Sequence, residues 1–430
     1  MLVAEVEFVP VIYENASKDD FGRPLNWWQD ASYFNHDWLL TSPAQNWGEK
    51  DVRKAAGIET DLHLLLDSGG FLLQSGHFPG EPKQSLNRGG LGPIGGPGTA
   101  MDVVDWYNAT ARRGDLCMIL DIPPFIRRGS DRYNLEPELS ADDFDLCLDK
   151  TKRNAEKMLA RRNGDYDLFG VVQGRNLAEM ERWFKTLDRL GGFDGWAFAP
   201  KRHLDRQVAA MVMAKEFCGK KPIHLLGLSG ARAFSIGAYL AEKLGVRVTM
   251  DSAVHIQQAR NQYWFFPGQL VDFGKFSDDK GAMTDLPCTC PPCEAHCASE
   301  YAGSSPYGTS LMVLHNLYQV KRYTRTVNAF RRDREMLITL AGNEGQEVRS
   351  AIDTFEFFQL AGYDRFRKRS GLIGPRFQPS QHSLRDYVDE SGLCNFCLKN
   401  PIAGEPYEVE PGSFASLCAE CKNKLVARDL

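Results

Sequence analysis

The chain has 430 residues, 43% of them hydrophobic, and a formal net charge of −5. This length and composition suffice for a large globular core and argue against a disordered chain. The N-terminus lacks the basic and apolar regions of a signal peptide, and nowhere do about 18 apolar residues run together. We therefore expect a cytoplasmic globular protein with no membrane partner. The negative net charge argues only mildly against a nucleic-acid partner, because the distribution of charge over the protein matters more than the total.

Besides the stretch His63–Phe71, the first hundred residues contain one predicted strand and two segments without a regular pattern. Glu5–Tyr13 is predicted to be a strand or hairpin. The aromatic segment from Trp27 to Trp38 is predicted to close the bottom of a barrel or to cover it as an N-terminal layer. The run Asn87–Gly98 contains six glycines and lacks the Gly-Lys-Ser/Thr ending of a phosphate-binding loop. We interpret this run either as a loop beside an active-site face or as an exposed linker.

The stretch His63–Phe71 has the pattern of a short buried strand that ends in an acid and two glycines. Asp67 is predicted to lie at the carboxyl end of this strand. Gly69 and Gly70 permit positive φ angles and close approach of the backbone to a ligand. An acid in this position can also simply cap the following helix. Repetition of the pattern favours a functional role.

Similar strands recur along the chain, nearly all of them ending in a polar or glycine residue, at Leu116–Asp121, Leu168–Gln173, Asp194–Pro200, Ile223–Gly230 and Val246–Asp251. Amphipathic segments separate the strands, at Asp102–Arg113, Ala141–Arg162, Asn176–Leu190, Leu204–Cys218 and Ala231–Leu244. This alternation predicts an α/β fold with a parallel sheet, and we predict a (β/α)8 TIM barrel. Because the strand ends of such a barrel meet on its catalytic face, four side chains should converge there: Asp67, Asp121, Gln173 and Asp251.

Most of the eleven cysteines lie in the last third of the chain in closely spaced groups, which predicts metal binding in a reducing compartment. The first group offers four ligands, the last of them on a predicted helix over Ser310–Tyr318: Cys288, Cys290, Cys293 and His315. Three thiolates and one imidazole complete a closed tetrahedral zinc site, so we expect a structural Zn²⁺. His296 and Cys297 are alternative fourth ligands.

A second cysteine group lies near the C-terminus and consists of Cys394, Cys397, Cys418 and Cys421. Two Cys-x-x-Cys pairs with twenty intervening residues are typical of a zinc ribbon, so we predict a second structural Zn²⁺. The predicted organisation is therefore a barrel with a zinc insertion over residues 1–320, a basic helical segment over 321–385, and a four-cysteine zinc-binding module over 386–430.

Several motifs together resemble the tRNA-guanine transglycosylase superfamily. They are Asp-Ser-Gly-Gly-Phe (67–71), Leu-Asp-Ile-Pro-Pro (120–124), Val-Val-Gln-Gly (171–174), Met-Asp-Ser-Ala (250–253) and the Cys-x-Cys-x-x-Cys group with its downstream histidine. The motifs follow the order of that family and together are more specific than any one of them. The resemblance implies a (β/α)8 barrel with an inserted zinc site. It also implies an enzyme that exchanges a guanine in nucleic acid for a 7-deazaguanine base without ATP.

The resemblance assigns Asp251 as the nucleophile at C1′ of the sugar and Asp67 as the general acid and base. It assigns binding of the base to Asp121, Gln173, Gly174, Ser68, Gly69 and Ala197. The chemistry independently requires this set, because exchange with retained configuration needs one carboxylate to hold the anomeric carbon and a second acid to move the proton. Asp121 can instead cap a helix, although the following Pro-Pro argues against this, and Gln173 can be a solvated loop amide.

Two departures from the family bear on the substrate. The stretch Gly195-Trp-Ala-Phe-Ala differs from the Gly-Leu-Ala-Val-Gly motif of the bacterial tRNA enzymes, and the Leu-Asp-Ile-Pro-Pro and Asp-Ser-Ala motifs are closer to the archaeal branch. The RNA-binding extension of archaeal enzymes is not recognisable, and the four-cysteine module occupies its place. This combination resembles bacterial and phage relatives that insert 7-cyano-7-deazaguanine into DNA. The sequence therefore favours DNA over tRNA as the nucleic-acid partner, with a homo-oligomer or accessory proteins left open.

Residues 321–376 are locally basic, with twelve lysines and arginines against seven acidic residues. A basic helical surface interleaved with aromatic residues such as Tyr323 and Phe330 is predicted to follow a phosphate backbone. A solvated helix face explains any single one of these cations equally well.

Three other functions compete with this interpretation. A catalytically silent binding subunit is expected to lose its nucleophile, whereas Asp251 is present. A barrel metallohydrolase needs an open histidine-rich site, for which the candidates are His63, His224 and His255, and His63 is predicted to belong to the core. A zinc-ribbon adaptor explains the C-terminus alone.

Overall fold

A computed structural model of the protein describes residues 4–11, 37–43, 52–55, 58, 62–70, 97–124, 141–200, 203–266, 269–272, 288–296, 298–301 and 306–370. Its central element is a parallel sheet of eight strands: β1 (Val6–Pro10), β2 (Trp38–Thr41), β3 (His63–Leu66), β4 (Leu116–Met118), β5 (Asp167–Val172), β6 (Gly195–Phe198), β7 (Ile223–Leu225) and β8 (Val248–Ser252). A separate antiparallel hairpin consists of β9 (Tyr263–Phe266) and β10 (Gln269–Asp272).

The eight strands form a nearly closed barrel in chain order. Each strand from β2 to β8 pairs in parallel with its neighbour in sequence, and β1 pairs in parallel with β8, where Val9 lies opposite Asp251. A parallel bridge between Val11 and Leu40 joins the end of β1 to β2. The predicted α/β barrel is therefore confirmed, and the carboxyl ends of all eight strands lie on one face.

Helices connect and cover the strands: α1 (Val52–Ala55), α2 (Pro97–Thr110), α3 (Ala141–Arg161), α4 (Leu177–Asp188), α5 (Leu204–Phe217), α6 (Ala231–Leu244) and α7 (Val254–Arg260). The later helices are α8 (Pro291–Ala295), α9 (Ala298–Tyr301), α10 (Pro306–Ala329), α11 (Arg334–Leu340), α12 (Gly345–Ala361) and α13 (Tyr363–Ser370), with a 3₁₀ turn at Gly342–Glu344. The described part of the chain has no helix long and apolar enough to cross a lipid bilayer.

Close contacts between strands and helices fix which strand side chains face outward. Met250 of β8 lies so near Gly237 of α6 that a Cβ there would be 2.2 Å from the Met250 methyl carbon. Since side chains alternate along a strand, Met250 faces the helices, whereas Thr249 and Asp251 face the barrel interior. This alternation directs the Asp251 carboxyl toward the axis of the barrel.

The backbone leaves the sheet earlier after β4 than the sequence pattern predicts. The predicted strand reached Asp121, but β4 ends at Met118, and side chains of α3 bind the next residues instead. Thr151 accepts a hydrogen bond from the Ile122 amide at 2.9 Å, and Asn154 donates to the Leu120 carbonyl at 3.1 Å. These bonds hold the segment that carries Asp121 against the rim of the barrel.

Helices α10 to α13 pack on the barrel and share its hydrophobic core, which includes Val320, Tyr323, Phe355 and Phe366. Asn328 of α10 bonds to both the amide and the carbonyl of Val6, at 2.8 and 2.7 Å. Over the described residues, the basic segment is thus continuous in packing with the barrel.

The predictions for His63 and for the aromatic segment from Trp27 to Trp38 have different outcomes. His63 is partly exposed and stacks on Trp38 at 4.7 Å between ring centroids, so the prediction that it belongs to the core is wrong. Its position at the first residue of β3 explains the exposure. Trp38 begins β2 and is buried in the core, whereas Trp27 and Trp28 lie outside the described residues, as does most of Asn87–Gly98.

His255 gives the fold an expected acid sensitivity. It is fully buried in α7, against the edge of Phe8, and burial lowers its pKa to about 3. The folded state therefore favours the neutral ring. Stability from this group is complete above the ordinary histidine pKa of about 6.5 and falls by up to about 1.4 kcal/mol per pH unit as the pH decreases toward 3.

Replacing His255 by glutamine should reduce the dependence of stability on pH. We expect the free energy of unfolding of His255→Gln to fall less steeply between pH 6.5 and 4 than that of the wild type. The difference in slope should be that of about one bound proton, up to about 1.4 kcal/mol per pH unit. Urea unfolding at a series of pH values measures both slopes. The exposed His203, replaced in the same way, serves as the control and should keep the wild-type slope. Equal slopes for wild type and His255→Gln would contradict the expectation.

Candidate active site and metal centre

Four candidate side chains lie at the carboxyl ends of barrel strands. Asp67 directly follows β3, Gln173 directly follows β5, and Asp251 is the penultimate residue of β8. Asp121 lies on the segment that follows β4. The fold thus carries all four residues to the one face where the ends of parallel strands meet, as the sequence predicted.

The Asp67 carboxyl is suited to gain and lose a proton near neutral pH. Burial raises its pKa to about 6, and the negative charge of Asp251 contributes in the same direction. The Gly69 amide donates a hydrogen bond to Asp67 Oδ2 at 3.3 Å and opposes this rise. A general acid and base works best when its pKa lies close to the working pH.

Asp121 and Gln173 form a buried pair. Gln173 Nε2 donates to Asp121 Oδ2 at 2.7 Å. Burial raises the pKa of Asp121 to about 7, while the hydrogen bond from Gln173 lowers it. Since Asp121 is neutral in part of the population at neutral pH, it can either accept or donate a hydrogen bond.

Two buried oxygens of this region have no hydrogen-bond partner among the described residues: Gln173 Oε1 and Ser68 Oγ. Leaving such an atom unsatisfied costs roughly 1–3 kcal/mol, which is the penalty that a bound polar ligand removes. An amide oxygen accepts a hydrogen bond, and a hydroxyl can donate or accept one. The Gln173 amide oxygen therefore suits a ligand edge that carries N–H groups.

The two glycines after Asp67 have different roles. Gly69 has a φ of 78°, which a residue with a side chain rarely adopts. Gly70 lies against the next strand end, where a Cβ would come within 2.5 Å of the Asp121 carbonyl oxygen and 2.9 Å of its Oδ1. Any larger residue at Gly70 would therefore displace the Asp121 segment. The Gly-Gly pattern predicted close approach to a ligand, and the observed approach is to Asp121.

Asp251 is held by two hydrogen bonds that sequence reasoning missed. His224 Nε2 lies 2.9 Å from Asp251 Oδ1, and the Gly227 amide donates to the same oxygen at 2.8 Å. His224 is completely buried, and its Nδ1 lies 2.8 Å from the Thr249 hydroxyl. The contact depends on the pairing of β7 with β8, which places His224 beside Thr249, on the same face of β8 as Asp251.

The remaining two candidates lie near this face. Ala197 is buried in β6, paired with Val171 on one side and His224 on the other. Gly174 packs against the first turn of α4, where a Cβ would come within 2.6 Å of the Met180 amide. This contact gives Gly174 a packing role in addition to its predicted place beside the base.

The first cysteine group forms a compact cluster. The candidate ligand atoms of Cys288, Cys290, Cys293 and His315 all lie within 4.8 Å of one another. His315 Nδ1 lies 3.3 Å from both Cys290 Sγ and Cys293 Sγ, and its Nε2 lies 3.2 Å from the Phe265 carbonyl oxygen. Because a carbonyl only accepts, Nε2 carries the proton and Nδ1 offers its lone pair to a metal.

The surroundings of the cluster fit a structural metal ion. Gln319 Nε2 donates to Cys288 Sγ at 3.1 Å, and the Tyr301 hydroxyl donates to Cys293 Sγ at 3.6 Å. Hydrogen bonds from the Cys290 and Cys293 thiols lower the pKa of Cys288. Such outer contacts orient and charge the ligands of a metal. A donor set of three cysteines and one histidine in this compact arrangement suits tetrahedral Zn²⁺.

The alternative metal ligands are resolved only in part. His296 is not a member of the cluster, and its Nδ1 lies 3.2 Å from Glu300 Oε1. Cys297 and the four cysteines of the C-terminal group lie outside the described residues. Within the described part, this cluster is the only group placed to bind a metal, so no open histidine-rich site appears there.

The metal cluster and the strand that carries Asp251 are linked through α10. Asn316, next to the ligand His315, donates to the carbonyls of His255 and Tyr263 at 3.3 and 3.2 Å. It also accepts from the Phe265 amide at 2.7 Å. Since α7 begins directly after β8, these bonds connect the cluster to the end of the strand that carries Asp251.

This chain matches no protein-family model and no curated protein. The capability of the barrel face follows from its groups. It combines a carboxylate fixed by two donors, a second carboxyl whose pKa is about 6, and a buried acid and amide pair. Together these groups can perform a displacement with proton transfer on a ligand that has a polar planar edge.

Proposed function

We propose that the chain is a transglycosylase of the tRNA-guanine transglycosylase superfamily, and that it exchanges guanine in DNA for a 7-deazaguanine base such as 7-cyano-7-deazaguanine. The observation that carries the proposal is the presence of two different carboxyl groups on one face of the barrel. Asp251 is held at one oxygen by two donors, and the pKa of Asp67 is raised to about 6. One carboxylate is fixed for attack and the other is adjusted for proton transfer.

The proposed reaction has two displacements at C1′ of the sugar. Asp251 attacks C1′ as the bond to guanine breaks, and Asp67 donates its proton to the departing base. The incoming 7-deazaguanine then loses its ring N–H proton to Asp67 and attacks C1′, which releases Asp251. Two inversions retain the configuration, and no ATP is needed because one glycosidic bond replaces another.

Recognition of the base is assigned to Asp121 and Gln173, with Ser68, Gly69, Gly174 and Ala197 around them. A guanine edge presents an N–H, an amino group and a carbonyl oxygen in one plane. Gln173 Oε1 and Ser68 Oγ, which lack partners among the described residues, are available to it. Asp121 adds a carboxyl that is partly neutral near pH 7. 7-Deazaguanine shares this edge with guanine, so both bases fit the two halves of the reaction.

The preference for DNA rests on the basic segment and the C-terminal four-cysteine module. Some cations of the segment are engaged within the protein: Arg331 and Arg332 with Glu242, Arg334 with Asp353 and Glu356, Arg349 with Glu335, and Arg367 with Glu181. Arg322 and Arg325 are exposed on α10, and Arg365 and Lys368 on α13. Contact with the phosphate backbone of DNA is therefore assigned first to these four cations.

Two zinc ions complete the proposal. Cys288, Cys290, Cys293 and His315 would hold the first, and Cys394, Cys397, Cys418 and Cys421 the second. Both ions would have full thiolate or imidazole coordination, so the metal would supply stability and take no part in catalysis.

A base-incorporation assay tests the function and the substrate together. Purified protein is incubated with labelled 7-cyano-7-deazaguanine and either duplex DNA, melted DNA or tRNA under matched conditions. We expect label in DNA, with activity that falls steeply as salt rises, because phosphate contacts release counterions. Melted DNA should react faster than duplex, since flipping a paired guanine costs roughly a few kcal/mol. Label in tRNA alone would favour the tRNA-modifying alternative, and label in neither would favour a non-catalytic paralogue.

A further inference from the structure

His224 makes a hydrogen bond to Asp251 to which the two displacements of the proposed reaction assign no role. The ring is fully buried between β7 and β8, and each of its nitrogens faces an oxygen: the Thr249 hydroxyl at 2.8 Å and Asp251 Oδ1 at 2.9 Å. A buried ring with both nitrogens engaged is fixed in position, so its contact with Asp251 is a built feature of the site.

The direction of the hydrogen bond follows from the partners. An ionised carboxylate oxygen only accepts, so His224 Nε2 must carry a proton toward Asp251 whenever Asp251 is ready to attack. The Thr249 hydroxyl can donate to Nδ1, or it can accept from Nδ1 while it donates to the Ile223 carbonyl at 3.4 Å. Gly227, at a φ of 66°, directs its amide at the same oxygen.

These contacts distinguish the two oxygens of Asp251. Both donors reach Oδ1. Among the described residues no further hydrogen bond reaches the Asp251 carboxyl, so Oδ2 keeps lone pairs that can attack carbon. We infer that Oδ2 of Asp251 is the attacking atom, and that His224 is a positioning residue whose hydrogen bond to Oδ1 aids the breakdown of the covalent intermediate. This inference rests on the proposed function.

The electron balance gives His224 unequal effects on the two displacements. In the first, the Oδ2–C1′ bond forms while the bond from C1′ to guanine breaks, and its electron pair leaves with the base that Asp67 protonates. Oδ1 then becomes an ester carbonyl. In the second, the incoming base, deprotonated by Asp67, bonds to C1′, and the electron pair of the Oδ2–C1′ bond returns to the carboxylate. Donors at Oδ1 stabilise that returning charge.

Loss of the donor should therefore slow the second displacement more than the first. For His224→Leu we expect kcat to fall roughly ten- to hundredfold, the range for one hydrogen bond to a charged group. KM for the base should change little, because Asp121 and Gln173 contact the base. The fraction of enzyme trapped as covalent adduct with DNA should rise, whereas a general loss of structure would lower it.

The variant series includes a conservative replacement and a matched control. In His224→Gln a side-chain amide can still donate toward Oδ1, so kcat should recover to within about threefold of the wild type. His63→Leu, at the partly exposed first residue of β3 and therefore at the opposite end of the barrel, should leave exchange unchanged. Steady-state exchange and denaturing-gel quantification of the adduct are measured on the full chain, and circular dichroism checks that each variant is folded.

The outcomes separate this inference from the proposed function. A wild-type protein that exchanges no base rejects the function. If the wild type is active, an equal kcat in His224→Leu overturns only the role of His224. A rise in KM alone, or a fall in both kcat and adduct without rescue by glutamine, also overturns it. If His224→Leu fails to fold, the adduct fraction of His224→Gln decides, and it must not fall below that of the wild type.

Discussion

Replacing Asp251 by asparagine should abolish base exchange and the covalent adduct while leaving the protein folded. The amide cannot displace a base at C1′, and removal of a nucleophile typically lowers turnover by at least about a thousandfold. The asparagine side chain would still offer an oxygen to His224 and to the Gly227 amide, which both bond to Oδ1 in the wild type. The barrel should therefore keep its structure and its affinity for nucleic acid.

The measurement combines incorporation of labelled base, adduct formation on a denaturing gel and DNA binding at constant salt. Asp188→Asn, at the exposed end of α4, removes a carboxylate of the same size away from the site and should retain full exchange. Asp67→Asn should be inactive as well, because it loses the proton transfer. Persistent exchange in Asp251→Asn would exclude this residue as the nucleophile, whatever the other variants do.

Replacing Cys290 by serine should remove one zinc ion and unfold the region around the cluster. Cys290 belongs to a small hydrophobic core of its own, together with Trp264, Tyr301 and Met312. Structural zinc contributes about 10 kcal/mol or more of binding free energy in small zinc domains, which indicates how much of this core depends on the ion. We expect a markedly lower melting temperature and increased proteolysis of α8 and α9.

Metal analysis of the full chain provides the number that decides this prediction. The wild type should contain about two zinc ions per chain and Cys290→Ser about one. Cys218→Ala removes a buried thiol at the end of α5, far in sequence from the cluster, and should keep the wild-type zinc content. A wild type with less than one zinc per chain, or a Cys290→Ser protein with undiminished zinc, would rule out the predicted centre.

The barrel and its strand ends could be predicted from sequence because they depend on local patterns. Apolar runs, five of which end in Asp, Gln or Gly, specified six of the strands, and the spacing of Cys288, Cys290 and Cys293 specified a cluster. His315 could be named because it lies on a predicted helix, Ser310–Tyr318, that follows these cysteines. Such signals are properties of neighbouring residues, and folding preserves them.

The contacts of His224, Gly70 and Asn316 could not be predicted in the same way. Each depends on which residues of distant elements come into register or into close approach. His224 meets Asp251 only because β7 and β8 are paired with His224 opposite Thr249. Gly70 meets Asp121 only because the segment after β4 turns away from the sheet at Met118. The partial neutrality of Asp121 likewise depends on burial, which is a property of the assembled rim.

The pairing of β1 with β8 sets the order in which this site can be assembled. Val9 and Asp251 are neighbours in the sheet although most of the barrel sequence lies between them. Joining such distant strands carries a large loop-closure cost that is recovered only when the intervening strands are in place. The barrel therefore cannot close before β8, the strand that bears Asp251, is in place. A chain that lacks β8 loses the Asp251 carboxyl and the closed barrel together.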